Sequence, residues 1–282
     1  MSTVILGMDF SKKKFTHRAL GWKRVSSYKQ RHILRSGECV DVVEYEIPAL
    51  MPINIGKKIV WFSDLHFRDD QETDKKVMQE SLTFVNELQP DCIVYGGDAV
   101  TYSSTLPIVR TFLKSLPEKS QKMAVLGNWE YAKRWLKHED WRGFFDSAGF
   151  KLLINEACEF DDFFFYGADD PRKGKPSRPA EIPNDKEVIF LAHSPDAIIN
   201  ISNRKMLNKT NLFLCGHTHG GQIRLPFIGA LLTSSRYWRR FDYGRFVNSH
   251  SGSHMIVSSG LGCSTIPLRI SCRRELALIN FV

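Results

Sequence analysis

Across its 282 residues the sequence contains no apolar run near the roughly 18 residues that are needed to cross a membrane. It also has no low-complexity segment, no internal repeat and no linker rich in proline, glycine or serine. We therefore expect one large domain rather than two small ones. The stretch VILGM near the start is soon followed by three lysines and lacks a cleavage site, so we expect a cytoplasmic protein without a signal peptide.

No two of the six cysteines form a C-x-x-C pair, which argues against a structural zinc site and against a disulfide framework. Reduced thiols in a reducing compartment are expected. Cys92 and Cys215 lie inside apolar, strand-like runs. They are predicted to be small core residues rather than metal ligands.

Carboxylates are absent from Ser11 to Arg35, where nine cations account for more than the whole net charge of +8. Aromatic and aliphatic residues such as Phe15, Trp22 and Tyr28 are interleaved with these cations. We interpret residues 1–40 as a basic aromatic arm that binds an anionic membrane surface, which would place the protein on the inner face of the membrane. Nucleic acid is the less favoured partner, and a solvated terminus is the other alternative.

From Lys57 onward, short apolar runs rich in β-formers alternate with helical patterns, which is typical of an α/β sandwich. Helices are predicted over 72–88, 106–116 and 131–148 from the spacing of apolar residues. The remaining domain, 41–282, would contain the fold and the site.

Five strand-like runs end in a turn that carries a potential metal ligand. These ligands are Asp64 with His66, Asp98, Asn128, His193, and His217 with His219. Since the carboxyl ends of strands converge on the crevice of an open α/β sheet, we expect these seven side chains to lie close together. Mixed oxygen and nitrogen donors without thiolate suit Mn²⁺, Fe or Zn²⁺, and seven donors fit two ions that share a carboxylate.

The ordered motifs DLH, GGD, GNWE, AHSPD and GHTHGG resemble those of the calcineurin-like metallophosphoesterases. The resemblance runs from about Asp41 to the C-terminus, and the end of the chain is similar to a branch of small bacterial membrane-associated phosphoesterases. It implies a four-layer α/β/β/α sandwich with a dinuclear site at the carboxyl ends of the strands.

The resemblance also implies the roles of the seven residues. One ion would be held by Asp64, His66, Asp98 and His219, and the other by Asp98, Asn128, His193 and His217. Asp98 would bridge two divalent ions, Mn²⁺ being preferred over Zn²⁺ or Fe. Asn128, Asp98 and His193 would be catalytic, with Asn128 stabilising charge on a phosphorus centre attacked by hydroxide.

The sequence departs from the family at two places. The basic arm stands where this branch has a membrane anchor, and Trp129 stands where the family has a histidine that assists the leaving group. An alkoxide leaving group, with a pKa of about 15.7, needs a proton donor. A phosphate monoester, which titrates at about 6, leaves without one. Trp129 therefore favours cleavage of a pyrophosphate, unless the enzyme is simply impaired.

UDP-2,3-diacylglucosamine pyrophosphohydrolases of lipid A synthesis are similar and also have a non-histidine at this position. The resemblance implies hydrolysis of that lipid to UMP and 2,3-diacylglucosamine 1-phosphate. Candidate substrate contacts are Trp129, Arg224, Arg236, Arg239 and Arg240. The stretch LPFIGALL would form an acyl-chain surface or ordinary core. The alternatives are a broader phosphodiesterase or phosphomonoesterase, and a non-catalytic metal-binding scaffold of the same fold.

Overall fold

The computed structural model describes residues 21–25, 32–68, 72–132 and 136–282, and these form two seven-stranded sheets. In chain order the strands are β1 (Trp22–Arg24), β2 (His32–Ser36), β3 (Val40–Ile47), β4 (Lys58–Phe62), β5 (Cys92–Tyr95), β6 (Gln121–Ala124), β7 (Lys151–Leu152), β8 (Glu156–Phe160), β9 (Phe163–Gly167), β10 (Glu187–Ala192), β11 (Leu212–Cys215), β12 (Arg224–Leu225), β13 (Gly229–Ala230), β14 (Gly244–Asn248), β15 (His254–Val257) and β16 (Arg274–Phe281).

The first sheet has the strand order β2-β3-β16-β4-β5-β6-β7, and the second has the order β1-β14-β15-β11-β10-β9-β8. Strands β4 to β7 are parallel to one another, as are β9, β10, β11 and β15. Strands β12 and β13 form a separate two-stranded hairpin. The central strands are buried along their whole length, as is usual for parallel strands covered on both faces.

Among the described residues, six α-helices flank the sheets. They are α1 (Glu72–Leu88), α2 (Leu106–Lys114), α3 (Asn128–Ala132), α4 (His138–Asp146), α5 (Pro195–Ile201) and α6 (Arg204–Lys209). Helix α1 begins with two acidic residues and packs through Val77 and Val85. Helix α5 begins where Ser194 accepts a hydrogen bond from the Asp196 N–H (3.2 Å) and Pro195 takes the first turn.

Three apolar clusters separate four layers. One lies between the first sheet and helices α1, α2 and α4, and includes Phe62 and Trp141. The second lies between the two sheets, with Trp61 facing Leu214 and its neighbours. The third joins the second sheet to α5 and α6. The predicted α/β/β/α sandwich is therefore confirmed, and Cys92 and Cys215 are buried as predicted.

Two local predictions need correction. The single helix predicted over 131–148 is wrong, because α3 already begins at Asn128 and α4 begins only at His138, after Lys137 in an extended conformation. Strands β3, β8 and β14 had no counterpart in the predicted pattern. Strand β3 lies between β2 and β16, where residues before Lys57 complete the first sheet.

Part of the segment 1–40 joins the sheets. Strand β1 pairs with β14 and β2 pairs with β3, each at one edge of its sheet. Most cations of the predicted arm lie outside the described residues: Lys12, Lys13, Lys14, Arg18, Lys29 and Arg31. None of the described helices has the length and apolar character required to span a bilayer.

Candidate metal centre

The candidate ligands follow the carboxyl ends of five strands, three in the first sheet and two in the second. Asp64 and His66 follow β4, Asp98 follows β5, and Asn128 opens helix α3 just beyond β6. In the second sheet His193 follows β10, and His217 and His219 follow β11. The two sheets therefore contribute ligands to the same end of the sandwich.

The loops bring six of these side chains into two clusters, each with ligand atoms within 4.8 Å of one another. The first contains Asp64, His66 and His219, and the second contains Asp98, His193 and His217. Within the second, His193 Nε2 lies 3.0 Å from His217 Nδ1. All six side chains are buried.

Asp98 lies between the two clusters. Its Oδ2 atom is 3.2 Å from His193 Nε2 and 3.3 Å from His66 Nε2, which belongs to the other cluster. In the first cluster, Asp64 Oδ1 is 3.4 Å from His219 Nε2. A carboxylate that contacts histidines of both clusters has the position of a bridging ligand.

Five of the candidate ligands have left-handed backbones, which only glycine adopts without cost. The residues and their φ angles are Asp64 (55°), His66 (44°), Asp98 (61°), His217 (72°) and His219 (51°). Such conformations are costly for non-glycine residues and cluster at functional sites. Here they occur in the loops that carry the candidate ligands, so the fold accepts local strain at this place.

Neighbouring glycines allow these loops to pack closely against the residues around the candidate ligands. A Cβ at Gly127 would lie 2.2 Å from Asp98 Oδ1, and one at Gly216 would lie 2.1 Å from Ser63 Oγ. Side chains at either position would displace the loop that holds a candidate ligand. Glycine is therefore required by space in GNWE and in GHTHGG.

Glu130 connects the loops that follow β5 and β6. Its buried carboxylate accepts hydrogen bonds from the backbone N–H groups of Asp98 (3.0 Å), Ala99 (2.6 Å) and Gly127 (2.8 Å). Sequence reasoning assigned no role to this residue, although its place as the last residue of GNWE was a visible signal. Glu130 thus fixes the backbone from which Asp98 projects.

Other contacts orient the remaining ligands. His193 Nδ1 lies 2.7 Å from the Gly96 carbonyl, which leaves Nε2 facing the cluster. The His217 N–H donates to the Asp64 carboxylate at 3.0 and 3.2 Å. Fixing one histidine nitrogen by a hydrogen bond and leaving the other toward the site is the usual arrangement around metal ligands.

Burial and mutual contact shift the pKa values of these groups in opposite directions. Burial alone would raise the pKa of Asp98, but His193 and His66 outweigh it and hold the value well below its usual range. Burial alone would lower the pKa of His193, but the Asp98 carboxylate raises it to about 10. Burial, followed by neighbouring cations, lowers the pKa values of His217 and His219.

Several buried polar atoms have no hydrogen-bond partner among the described residues. They include Asn128 Oδ1, His217 Nε2 and His219 Nδ1. Leaving such atoms unpaired costs about 1–3 kcal/mol each, which a coordinated cation would offset. The free lone pairs, the mixed oxygen and nitrogen donors and the two adjacent clusters fit a pair of divalent ions.

Trp129 forms one wall of the first cluster. Its ring lies edge-on to His66, with centroids 5.1 Å apart, and its backbone N–H donates to Asp98 Oδ1 (2.9 Å). The side chain is partly exposed. An aromatic ring therefore occupies the place beside the ligands that motif alignment assigned to a histidine.

The four predicted substrate arginines lie on one stretch of chain beyond His219. Arg224 donates to the Gly220 carbonyl (2.7 Å) and to Asp242 (2.9 Å), and Arg239 donates to the Ile228 carbonyl (2.8 Å). The side chains of Arg236 and Arg240 are exposed. Arg224 is thus already engaged in an internal ion pair, close to the first cluster.

Two other arginines lie near the centre and were missed by sequence reasoning. Arg269 donates to the Ser259 carbonyl (2.7 Å) and approaches the His219 carbonyl (3.4 Å). The positive charges of Arg172 and Arg269 contribute to lowering the pKa values of His217 and His219, respectively. Neither arginine belongs to one of the five motifs that carry the candidate ligands, so only the folded loops reveal their position.

Residues 57–221 match the family model for calcineurin-like phosphoesterases, a span that contains all seven candidate ligands. The chain belongs to this family. It is accordingly a metal-dependent phosphoester hydrolase, and divalent metal ions are its cofactors. The predictions of the family, of enzymatic activity and of divalent metals are confirmed at this level, and a purely non-catalytic scaffold is not supported.

Relatives of known sequence cover most of the chain. The uncharacterized metallophosphoesterase YkuE of Bacillus subtilis is 27% identical over 237 residues, which are 80% of this chain and 79% of that protein. Phosphodiesterase YaeI of Escherichia coli is 28% identical over 232 residues, covering 80% and 82% of the two chains. A dimetal phosphatase crystal structure from Danio rerio has 12% identity, a TM-score of 0.46, and coverage of 74% of this chain and 88% of its own.

Proposed function

We propose that the two clusters hold two divalent ions with the sharing predicted from the motifs. Asp64, His66 and His219 would hold one ion, His193, His217 and Asn128 would hold the other, and Asp98 would be shared by both. The distances from Asp98 to His66 and His193 support this sharing. Mn²⁺ is the preferred ion, since the site offers oxygen and imidazole donors without thiolate.

When bound, the ions supply Lewis-acid stabilisation of the phosphoryl oxygens and an activated water. The protein groups position them and complete the charge balance. The Asn128 amide would hold an ion through its oxygen, which is buried without a hydrogen-bond partner, and its N–H groups would stabilise the developing negative charge. His193 is held by the Gly96 carbonyl, so its Nε2 stays in place during turnover. The Glu130 carboxylate accepts from the Asp98 and Gly127 N–H groups, and these two hydrogen bonds fix the loop of Asp98 relative to the loop of Asn128.

The proposed reaction type is based on Trp129. Its indole cannot deliver a proton to a departing alkoxide, and it stands against His66 where a proton donor would act. A leaving group that is already a stable anion needs no such donor. We therefore infer that the scissile bond is a pyrophosphate, whose leaving phosphate titrates at about 6.

The substrate we propose is UDP-2,3-diacylglucosamine, cleaved to UMP and 2,3-diacylglucosamine 1-phosphate. Guanidinium groups suit the two phosphates, and Arg236 and Arg240 are exposed on the stretch beyond the site. Trp129 would stack beside the uracil or the sugar. The arm at residues 1–40 would hold the protein on the anionic cytoplasmic surface where this lipid resides.

A broader phosphodiesterase activity is the second candidate, because the E. coli relative YaeI is named a phosphodiesterase. The two candidates differ in the bond that is cleaved. Incubation of the Mn²⁺-loaded protein with UDP-2,3-diacylglucosamine should release UMP, with a kcat/KM well above that for an aryl phosphodiester. A higher kcat/KM for the aryl phosphodiester would favour the second candidate, and His217→Ala should abolish both reactions.

Trp129→His tests the role of the indole directly. Restoring a proton donor should raise hydrolysis of a methyl phosphodiester by about 10²-fold or more, while cleavage of a pyrophosphate changes little. The measurement is kcat/KM for both substrates, and Trp129→Phe is the control that removes the indole without adding a donor. Equal changes for both leaving groups in Trp129→His would contradict the leaving-group argument.

A further inference from the structure

An exposed apolar surface lies directly beyond the last candidate ligand. His219 begins a 3₁₀ turn that ends at Gly221, and the β12–β13 hairpin starts at Arg224. Phe227, at the tip of the hairpin, is fully exposed. Ile228 and Leu232 follow with 51% and 63% of their surface exposed. Soluble proteins rarely leave such a group of large apolar side chains in contact with water unless it binds something.

A second loop extends this surface and fixes it in place. Ile266 and Leu268 are 54% and 46% exposed, and the Gln222 side chain donates to both of their carbonyls, at 3.0 and 3.3 Å. The backbones also pair, since Arg224 N–H donates to Ile270 O (2.9 Å) and Ile270 N–H donates to Gln222 O (2.9 Å). We call Phe227, Ile228, Leu232, Ile266 and Leu268 the hairpin face. Its exposure belongs to an ordered surface and not to a loose loop.

The two chain segments that carry the hairpin face have charges of one sign only, and one of their arginines, Arg273, is paired with Asp41 (2.9 Å). Residues 220–241 and 260–274 contain no carboxylate, and they contain seven arginines: Arg224, Arg236, Arg239, Arg240, Arg269, Arg273 and Arg274. Asp242, which follows the first segment, is already paired with Arg224 and Arg24. Arg239 also holds the hairpin through its hydrogen bond to the Ile228 carbonyl. Exposed apolar side chains on segments whose only charged residues are arginines match an anionic lipid surface, where cations contact headgroups and apolar side chains enter the acyl boundary.

We propose that the hairpin face inserts into the surface of an anionic phospholipid bilayer. A partner protein with an acidic rim is a less economical match, because the exposed ring at the tip of the hairpin needs a deformable apolar phase rather than a fitted pocket. Since the hairpin follows His219 within a few residues, docking places the metal centre against the headgroup layer. This contact is separate from the basic arm at residues 1–40, and it stands whether or not the pyrophosphate proposal is correct.

Vesicle sedimentation of the full chain tests the proposal. Vesicles of phosphatidylglycerol mixed with phosphatidylcholine should bind the protein, and vesicles of phosphatidylcholine alone should bind it far less. The double variant Phe227→Ser with Leu232→Ser should weaken binding to the anionic vesicles by about 100-fold, since each buried side chain contributes about a factor of 10 or more. Both side chains are exposed, so thermal unfolding should be unchanged and should report a folded protein.

The matched control is the double variant Ile53→Ser with Ile55→Ser. These side chains are 68% and 62% exposed, and they precede β4 at the end of the sandwich opposite to the metal centre. This control should bind vesicles like the wild type. The proposal is overturned if the hairpin variant binds as well as the wild type, which would leave membrane binding to the arm. It is equally overturned if both variants lose binding alike, or if the hairpin variant changes a dimer into a monomer, which would identify a second copy as the occupant.

Discussion

The sandwich has two opposite edges: at the first edge the parallel strands start, and at the second, the site edge, they end and the candidate metal ligands follow. Buried polar groups are arranged differently at these two edges. Strand β10 shows the contrast most directly, because it starts with the buried Glu187 and is followed by the buried His193. The Glu187 carboxylate accepts hydrogen bonds from the N–H groups of Leu50 (2.9 Å) and Met51 (3.0 Å) and from the Asn211 amide. At the other end, His193 faces Asp98 and His217, and the Nε2 atom of His217 has no hydrogen-bond partner among the described residues.

The same contrast holds across neighbouring strands. Near the start of β4 and β5, Asp91 accepts from the Lys58 N–H (2.8 Å) and from Lys57 Nζ (2.9 Å). Beyond the ends of the same strands, Asp64 and Asp98 have left-handed backbones and contact imidazoles. At the first edge, the carboxylates of Glu187 and Asp91 have their hydrogen-bond donors and stabilise the fold. At the second edge, several buried polar atoms have lone pairs that a bound metal ion would fill. We therefore place the reaction at this edge.

Loss of Asp98 should have the largest effect. Asp98→Ala removes the carboxylate that contacts both clusters, so we expect kcat/KM of the Mn²⁺-loaded protein to fall by more than about 10³-fold. The measurement uses an aryl phosphodiester, with thermal unfolding to verify folding. Asp146→Ala, at the exposed end of α4, is the control and should keep wild-type activity. Retention of a tenth of the activity by Asp98→Ala would rule out a bridging role.

Loss of Glu187 should affect stability and spare activity. Glu187→Ala leaves the Leu50 and Met51 N–H groups and the Asn211 amide without their acceptor, which should lower the free energy of unfolding by about 2–3 kcal/mol. Urea titration measures this loss, and Glu187→Gln, which keeps an acceptor oxygen, should lose less. Activity per folded molecule should match the wild type. A stable Glu187→Ala protein with impaired turnover would reverse the assignment of the two edges.

Adding Mn²⁺ should stabilise the folded protein only by binding to the candidate ligands at the site edge. At a free Mn²⁺ concentration about 100 times its dissociation constant, binding adds about 2.7 kcal/mol to the folded state. That corresponds to an increase in Tm of about 5 to 10 °C for a protein of this size. Differential scanning fluorimetry should show the increase in Glu187→Ala and not in Asp98→Ala. An undiminished increase in Asp98→Ala would mean that Mn²⁺ binds elsewhere.

Replacing His254 should have the smallest effect, which is a change in how the stability of the folded protein depends on pH. Burial, followed by the charge of Arg245, lowers the pKa of His254 to about 4, and its neutral ring accepts from Arg245 (3.1 Å). An unfolded histidine titrates near 6.5, so the unfolded state gains a proton first as the pH falls. The stability tied to the neutral ring is therefore complete above pH 6.5 and is lost progressively toward pH 4.

Replacing this ring should flatten the pH dependence. His254→Gln should lose less stability than the wild type between pH 6.5 and 4, as measured by urea unfolding at a series of pH values. His32→Gln is the control, because the His32 side chain is largely exposed, and it should follow the wild-type slope. If the His254→Gln and wild-type curves remain parallel, burial does not hold this ring in its neutral form.

Much of the site edge was predictable because its residues occupy fixed places after strands. Asp98 follows a buried apolar run and a Gly-Gly turn, and His217 and His219 are flanked by glycines, so both their location and their neighbours were visible. Helix α1 was likewise predicted by its apolar spacing. Strand β8 was not predicted, because it is a half-buried edge strand. The prediction of one helix over 131–148 was wrong, because apolar periodicity does not reveal the break before His138.

The sequence by itself determined the family and the seven candidate ligands, because strand-end motifs are local properties of the chain, and the family resemblance carried by those motifs implied the α/β/β/α layers. Only the tertiary structure decided that Asp98 contacts histidines of both clusters, and that Glu130 ties two ligand loops together. It also placed Arg172 and Arg269 near the centre and made one ordered face from Phe227 and Ile266. Those arrangements join residues far apart in the chain, and their contacts depend on how two sheets pack rather than on any short pattern.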